Sequence, residues 1–153
     1  AFVGWLLPAS EPIQYESFTY ALIFAFAFSF ASCKDKAETP DGLWADAKYT
    51  EDTEFGNGGK TIDVIVEVEE KSVKFSIKTD KDNVGDALVE HGLIDGEEGA
   101  YGMYIKSVNG MFGDPDAGDS YWAVYIGDEA AMTGIDGVEV TDGATYKLVY
   151  TEI

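Results

Sequence analysis

The sequence predicts an α+β domain in which one helix packs on a mainly antiparallel β-sheet. Three observations carry this prediction. Two neighbouring segments have a two-residue apolar period, one short segment has a helical apolar stripe, and three later strand segments are separated by glycine turns. A chain of 153 residues has room for one domain together with targeting or linking sequence.

The first two strands form a predicted β-hairpin. Apolar side chains recur at every second position from Ile62 to Val68 and again from Val73 to Ile77. Acidic residues fill most intervening positions of the first segment, and Lys74 and Ser76 those of the second. This alternation is typical of half-buried strands whose outer faces pair acid with base across the ladder.

One helix is predicted next. Asp82 or Asn83 can cap its start, and Gly92 provides a left-handed stop. Gly85 in such a helix costs about 1 kcal/mol relative to alanine, which a close crossing over the sheet would explain. The apolar stripe consists of Val84, Ala87, Leu88 and His91.

Three more strands are predicted over 103–108, 121–126 and 146–150. Asn109-Gly110, Gly127-Asp128 and Asp142-Gly143 supply the turns around them. A hairpin, a helix and then three strands is an order compatible with a β-grasp-like layout.

The N-terminal part predicts a bacterial lipoprotein signal peptide over 1–33, with cleavage before Cys33. A run of 14 apolar and small residues, 18–31, is short for a membrane span but fits a signal-peptide core. The Cys33 thiol would then carry the lipid anchor. Phe30 stands where such signals usually have an aliphatic residue, and no Lys or Arg precedes Cys33. A plain cleaved signal and a buried apolar helix remain alternatives.

An acidic spacer containing Pro40 and several glycines is predicted over 34–59, followed by a folded domain over 60–153. Net charge is −19, and the segment after Cys33 holds 27 acids, ten lysines and no arginine. This balance argues against nucleic acid and against electrostatic docking on an anionic membrane, since both require clustered basic residues. We expect a monomer.

Catalysis is not expected, so the protein is predicted not to be an enzyme. His91 is the only histidine and Cys33 the only cysteine, which leaves nucleophile–base arrangements and His/Cys zinc sites unsupported. The spacing of His91 places it at the edge of the helix stripe, where we expect a structural role.

The loop at 113–119 is a weak calcium candidate. Asp114, Asp116 and Asp119 offer alternating carboxylates in a tight loop, although the loop lacks EF-hand spacing. A strand connection rich in Asp, Gly and Pro explains the same residues without metal.

The strand at 121–126 is apolar on both faces. It is either a central buried strand or a strand whose Trp122 is open as a stacking platform for a flat ligand. We expect the Trp122 ring to be half exposed, with a cost of about 2 kcal/mol for its truncation.

Several short motifs occur in an order that resembles a known family. They are Tyr101-Gly102, Val108-Asn109-Gly110, Tyr121-Trp122-Ala123, Gly134-Ile135-Asp136, and Asp142-Gly143 followed by Tyr146. Together they resemble the C-terminal β-domain of the vitamin B12 carriers transcobalamin and intrinsic factor, and more closely the bacterial surface-protein domains related to it.

The resemblance implies a β-grasp-like fold and a ligand surface. In those carriers the matching strand and loop face the corrin ring, which implies binding by Tyr121, Trp122, Ala130, Ala131, Met132 and Thr133. Cobalamin or another corrinoid is then the first small ligand to test. The function predicted is a non-enzymatic, lipid-anchored binding module on the extracytoplasmic face of the bacterial membrane. The alternative is a structural or adhesive module that contacts another surface protein.

Overall fold

The computed structural model describes residues 42–117 and 119–153. The predicted signal peptide, Cys33 and residues 34–41 of the predicted spacer lie outside this part of the chain. The strands are β1 (Thr53–Gly56), β2 (Lys60–Val68), β3 (Lys71–Thr79), β4 (Ile94–Gly99), β5 (Gly102–Val108), β6 (Met111–Phe112), β7 (Ser120–Ile126), β8 (Glu129–Ala130) and β9 (Thr145–Glu152). The helix α1 is Val84–Glu90, and 3₁₀ turns occupy Gly42–Asp46, Pro115–Ala117 and Ile135–Gly137.

The described residues form two sheets. The larger has six strands in the order β1-β3-β2-β9-β7-β8, and the smaller has three in the order β4-β5-β6. Five of the seven strand pairings are antiparallel, while β1 pairs parallel with β3 and β2 pairs parallel with β9. The predicted α+β class is therefore confirmed.

The hydrophobic core follows the predicted alternation. Every second side chain of β2, from Ile62 to Val68, is buried, as are those of β3 from Val73 to Ile77. Helix α1 adds Val84, Ala87 and Leu88 from its predicted stripe. The two strand faces and the helix thus share one core.

The described part of the predicted spacer is folded, which corrects the predicted domain boundary at residue 60. Trp44 is buried and donates its indole N–H to the Val68 carbonyl at 3.4 Å. Strand β1 joins the edge of the larger sheet through parallel pairing with β3. One aromatic side chain and one four-residue strand make these contacts. They are irregularly spaced along the chain, so they produce no apolar period that could be recognised in the sequence.

Helix α1 has the predicted caps. The Asn83 side chain accepts a hydrogen bond from the Asp86 N–H at 2.7 Å, and Gly92 has a φ of +63° after the last turn. No helix in the ranges 42–117 and 119–153 has both the length and the apolarity that crossing a membrane requires.

Gly85 allows a close crossing, although the partner differs from the predicted sheet. A Cβ on Gly85 would lie 2.9 Å from the backbone N and Cα of Asp136, in the 3₁₀ turn Ile135–Gly137. The helix therefore approaches a loop backbone, which cannot give way as a flexible side chain can.

We expect Gly85→Ala to lower the free energy of unfolding by about 1–3 kcal/mol, because the added methyl overpacks this crossing. The same change in an open helix would stabilise by about 1 kcal/mol. Urea denaturation of the full chain measures the difference. Glu90→Ala, exposed on the same helix, is the control and should stay within about 0.5 kcal/mol. A stabilising Gly85→Ala would show that the crossing is loose.

Candidate functional site

The candidate site lies along one edge of β7. The other edge is paired with β9 over the whole strand, from Ser120 to Ile126. On the outer edge, β8 pairs only with Tyr125 and Ile126, and the Ala131 N–H then donates to the Val124 carbonyl at 2.8 Å. The ladder on this side therefore ends at Val124.

Hydrogen bonds at both ends of β7 show which residues face this outer edge. The Gly127 N–H donates to Thr145, and the Asp119 carbonyl accepts from Ile153, both on the β9 side. Since backbone groups alternate along a strand, Trp122 and Val124 present theirs to the outer edge. The N–H and C=O of Trp122 are thus the first pair beyond the end of the β8 ladder.

A cleft of about 320 Å³ opens beside this edge. Its walls are the run 121–125 from β7, the run 103–105 from β5, and Ala130, Ala131, Thr133, Gly134 and Ile135 from the segment after β8. A strand face would contribute every second residue, whereas consecutive residues line a cleft only where it follows a strand edge. The cleft is therefore a gap alongside strand edges.

Five of the six predicted ligand residues line this cleft. They are Tyr121, Trp122, Ala130, Ala131 and Thr133. Met132, the sixth, is 93% exposed and is not part of the lining. Whether these residues bind a ligand stays a prediction, but the fold does bring the predicted strand and loop together.

The predicted half-exposed Trp122 ring is wrong. Trp122 is only 5% exposed, and its indole meets the Tyr150 ring edge-on, with ring centroids 5.5 Å apart. Gly113 lies against the indole, where a Cβ would come within 3.0 Å of its nitrogen. The ring is therefore part of the core, and strand geometry places the outward-facing backbone of Trp122 beside the cleft.

The wall supplied by β5 was not predicted. Met103, Tyr104 and Ile105 form it, and Tyr104 and Tyr121 are the exposed aromatic residues of the cleft. The motif Tyr101-Gly102 pointed to this region without assigning it to the site. Its contact with β7 is long-range in sequence, so no local pattern encodes it.

The phenol of Tyr104 is held in its neutral form. Burial, together with the negative charges of Asp116 and Asp114, raises the pKa of Tyr104 above its ordinary value. Lys106 opposes this from 5.6 Å above the ring. Tyr104 is therefore a hydrogen-bond donor at neutral pH.

The carboxylates of the acidic loop after β6 are paired with a lysine side chain. Lys106 Nζ lies 3.1 Å from Asp114 Oδ2 and 3.1 Å from Asp116 Oδ2. These hydrogen bonds, the one to Asp116 first, raise the pKa of Lys106 above its ordinary value, so it stays charged. The ammonium satisfies carboxylates that the calcium prediction assigned to metal, which favours the alternative of a strand connection.

The remaining metal and catalytic candidates form no cluster. Within residues 42–117 and 119–153, no group of three or more His, Cys, Asp or Glu side chains is close enough to hold a metal ion. His91 stacks on Phe55 with ring centroids 5.3 Å apart. Its position at the edge of the core is the one predicted from the helix stripe.

The described residues thus form an α+β domain with an open cleft beside a sheet edge. Residues 81–151 match the model of a domain of unknown function (DUF4430). A solved structure of a candidate metal-binding protein from Ruminococcus gnavus is 32% identical, with a TM-score of 0.58, and the match covers 61% of this chain and 98% of that one. The chain belongs to the same family as this Ruminococcus gnavus protein.

A more distant likeness is to haptocorrin, solved in complex with Cbi. It is 17% identical with a TM-score of 0.47, and covers 64% of this chain but only 26% of haptocorrin. The chain thus spans about a quarter of that protein. No curated protein matches the chain.

Proposed function

We propose that this domain is a non-enzymatic binding module that takes its ligand in the cleft beside β7. The observation that carries the proposal is the cleft itself, where an open strand edge, two exposed tyrosines and small side chains converge. Ligand sites are typically concave and mostly apolar, with a few polar groups that orient the ligand. Here the polar groups are the backbone of Trp122 and the hydroxyl groups of the two tyrosines.

A corrinoid is the small ligand we would test first. Tyr104 and Tyr121 offer flat apolar surface, and Ala130 and Ala131 leave room for the edge of a ring. A cavity of about 320 Å³ is at the small end of ligand sites, so it would hold the rim of a corrin and leave most of it outside.

Equilibrium dialysis of cyanocobalamin against the full chain tests this ligand. We expect a dissociation constant below about 100 micromolar, detected by the absorbance of the corrin. Ala130→Trp, which fills the cleft from an exposed position, should weaken binding at least tenfold. Ala45→Trp, exposed on the 3₁₀ turn Gly42–Asp46, is the matched control and should leave it unchanged. No uptake by the unmodified chain would remove corrinoids from the proposal.

The lipid anchor belongs to the same proposal. Small residues before Cys33 and the polar residues after it support processing at this cysteine, which would hold the domain on the extracytoplasmic face of a bacterial membrane. The mass of the N-terminal peptide from the membrane fraction tests it. A peptide that begins at Cys33 without a diacylglyceryl adduct would exclude the anchor.

Metal is not part of the proposal. The Ruminococcus gnavus relative is described as a candidate metal-binding protein. In the described part of this chain, the carboxylates of Asp114 and Asp116 are instead paired with Lys106.

The proposed fold type within the α+β class is β-grasp-like. It is supported by the place of β9, which lies between β2 and β7 and runs parallel to β2. A helix after the first hairpin also fits this layout.

The alternative, a protein-interaction module, is favoured by one specific observation. An unpaired strand edge presents N–H and C=O groups that another chain can pair with, and β7 has such an edge at Trp122.

A further inference from the structure

We propose that the edge of β7 binds an extended, basic peptide segment of a partner protein by strand addition. This rests on the proposed function only in taking the same cleft as the binding site. The hydrogen-bonding partner would be the backbone of Trp122, which faces outward where the β8 ladder ends.

The dimensions of the cleft fit a short length of extended chain. Strand spacing, sheet packing distance and rise per residue give about 160 Å³ for each extended residue. A cleft of about 320 Å³ is therefore the size of a short extended segment and not of a folded domain. Trp122 is the outward-facing residue of the lining that has no partner in β8 or in Ala131, and one such residue can exchange two hydrogen bonds with the residue opposite it.

The strands and loops that border the cleft carry acidic side chains. Glu97 lies opposite Tyr104 in the smaller sheet, and Glu129 lies opposite Ile126 at the end of β7. Asp136, which accepts the Met103 N–H at 2.6 Å, borders the same wall. All three are exposed.

Two lysines beside the cleft do not offset these acids. Lys147, opposite Tyr125 on β9, is paired with Asp128 at 2.9 Å. Lys106 lies within 4 Å of Glu97, Asp114 and Asp116 at once, so its charge is already shared among three carboxylates. Carboxylates therefore outnumber lysines around the cleft, and this excess favours a segment bearing lysine or arginine.

Strand addition also gives a reason why the side chain of Trp122 is buried while its backbone lies beyond the end of the β8 pairing. The Trp122 indole packs in the core beside Tyr150 and holds the strand in place. Its backbone is then a rigid template, so little ordering is required of β7 when a peptide pairs with it.

Fluorescence anisotropy with a labelled Lys-Val-Lys-Val-Lys peptide and the full chain tests the inference. We expect saturable binding at low salt that weakens as salt is added. The analogue N-methylated at all five residues keeps its charges but has no amide donors, and it should bind about tenfold more weakly. Equal binding of the two peptides would mean that charge alone is recognised and would overturn strand addition.

A pair of charge-reversal variants locates the binding surface. Glu97→Lys with Glu129→Lys should weaken the peptide at least tenfold, because both positions flank the cleft. Glu54→Lys with Glu70→Lys changes net charge by the same amount on β1 and the β2–β3 turn, so it should weaken binding less than about threefold. Equal losses in both pairs would contradict a local site.

Amide hydrogen exchange gives the decisive readout. On peptide binding, exchange of the Trp122 N–H should slow, while the N–H groups of β1, the opposite edge of the larger sheet, should not change. Protection of β1 alone would place strand addition at the other edge and overturn the proposal. Corrinoid uptake without peptide binding would defeat only this inference, whereas failure of both ligands would remove the cleft as a binding site.

Discussion

Replacing Trp122 with alanine is expected to lower the free energy of unfolding by about 3–5 kcal/mol, a large share of the margin of a small domain. Trp122 is 5% exposed, and its indole packs edge-on against Tyr150 and lies close to Gly113. Truncation removes this burial and leaves a cavity that the surrounding strands can fill only partly. Urea denaturation of the full chain, followed by far-UV circular dichroism, measures the loss.

Two further variants separate the ring from its polar group. The Trp122 indole N–H forms no hydrogen bond with the described residues. Trp122→Phe therefore removes an unsatisfied donor while keeping an aromatic ring, and we expect it to cost less than about 2 kcal/mol. It should also keep ligand binding, because the backbone is what reaches the cleft. Tyr121→Ala, on the adjacent and more exposed residue, should cost about 1 kcal/mol. A loss near 2 kcal/mol for Trp122→Ala would match a half-exposed ring and contradict the packing described.

Elements with a regular apolar period were predictable from the sequence. Strands β2, β3, β5, β7 and β9 and helix α1 lie where alternation, caps and turn residues placed them. Strand β4 was missed because Ile94 is its only buried residue, so it shows no alternation. Strand β1 was missed because it is four residues long and pairs through its backbone with a strand that follows it in the chain.

The candidate site was predictable only in part, for a related reason. The strand 121–126 and the loop 129–134 were identified from motifs, and the fold brings them to one cleft. Because both faces of the strand 121–126 are apolar, the sequence could not show whether the Trp122 ring is buried or open to a ligand. Local hydrophobicity does not tell which face packs against the core. The opposing wall at Met103–Ile105 depends on how two sheets meet, which only the tertiary structure determines.

Asn109 shows how a predicted turn can have a second role. It was identified as half of an Asn-Gly turn, and it does adopt a φ of +53° between β5 and β6. It is also completely buried. Its side-chain amide forms two hydrogen bonds with the backbone of Tyr49. It accepts from the Tyr49 N–H at 3.0 Å and donates to the Tyr49 carbonyl at 2.7 Å. A third bond runs from the Lys48 N–H to the Asn109 carbonyl at 2.8 Å. The turn thus holds the N-terminal segment that was predicted to be a spacer.

Asn109→Gly is expected to lower the free energy of unfolding by about 2–3 kcal/mol, because two hydrogen bonds are lost and both polar groups of Tyr49 are left unpaired. Glycine adopts a positive φ freely, so the loss reports the side chain and not the backbone. Glu69→Gly is the matched control: Glu69 has a φ of +56° on an exposed turn, and relief of that strain should stabilise by about 1 kcal/mol. Chemical denaturation measures both changes, and faster exchange of the Tyr49 N–H should accompany the first. If Asn109→Gly is neutral or stabilising like Glu69→Gly, the residue serves the turn alone, and residues 42–49 must be held by Trp44 and the other apolar contacts.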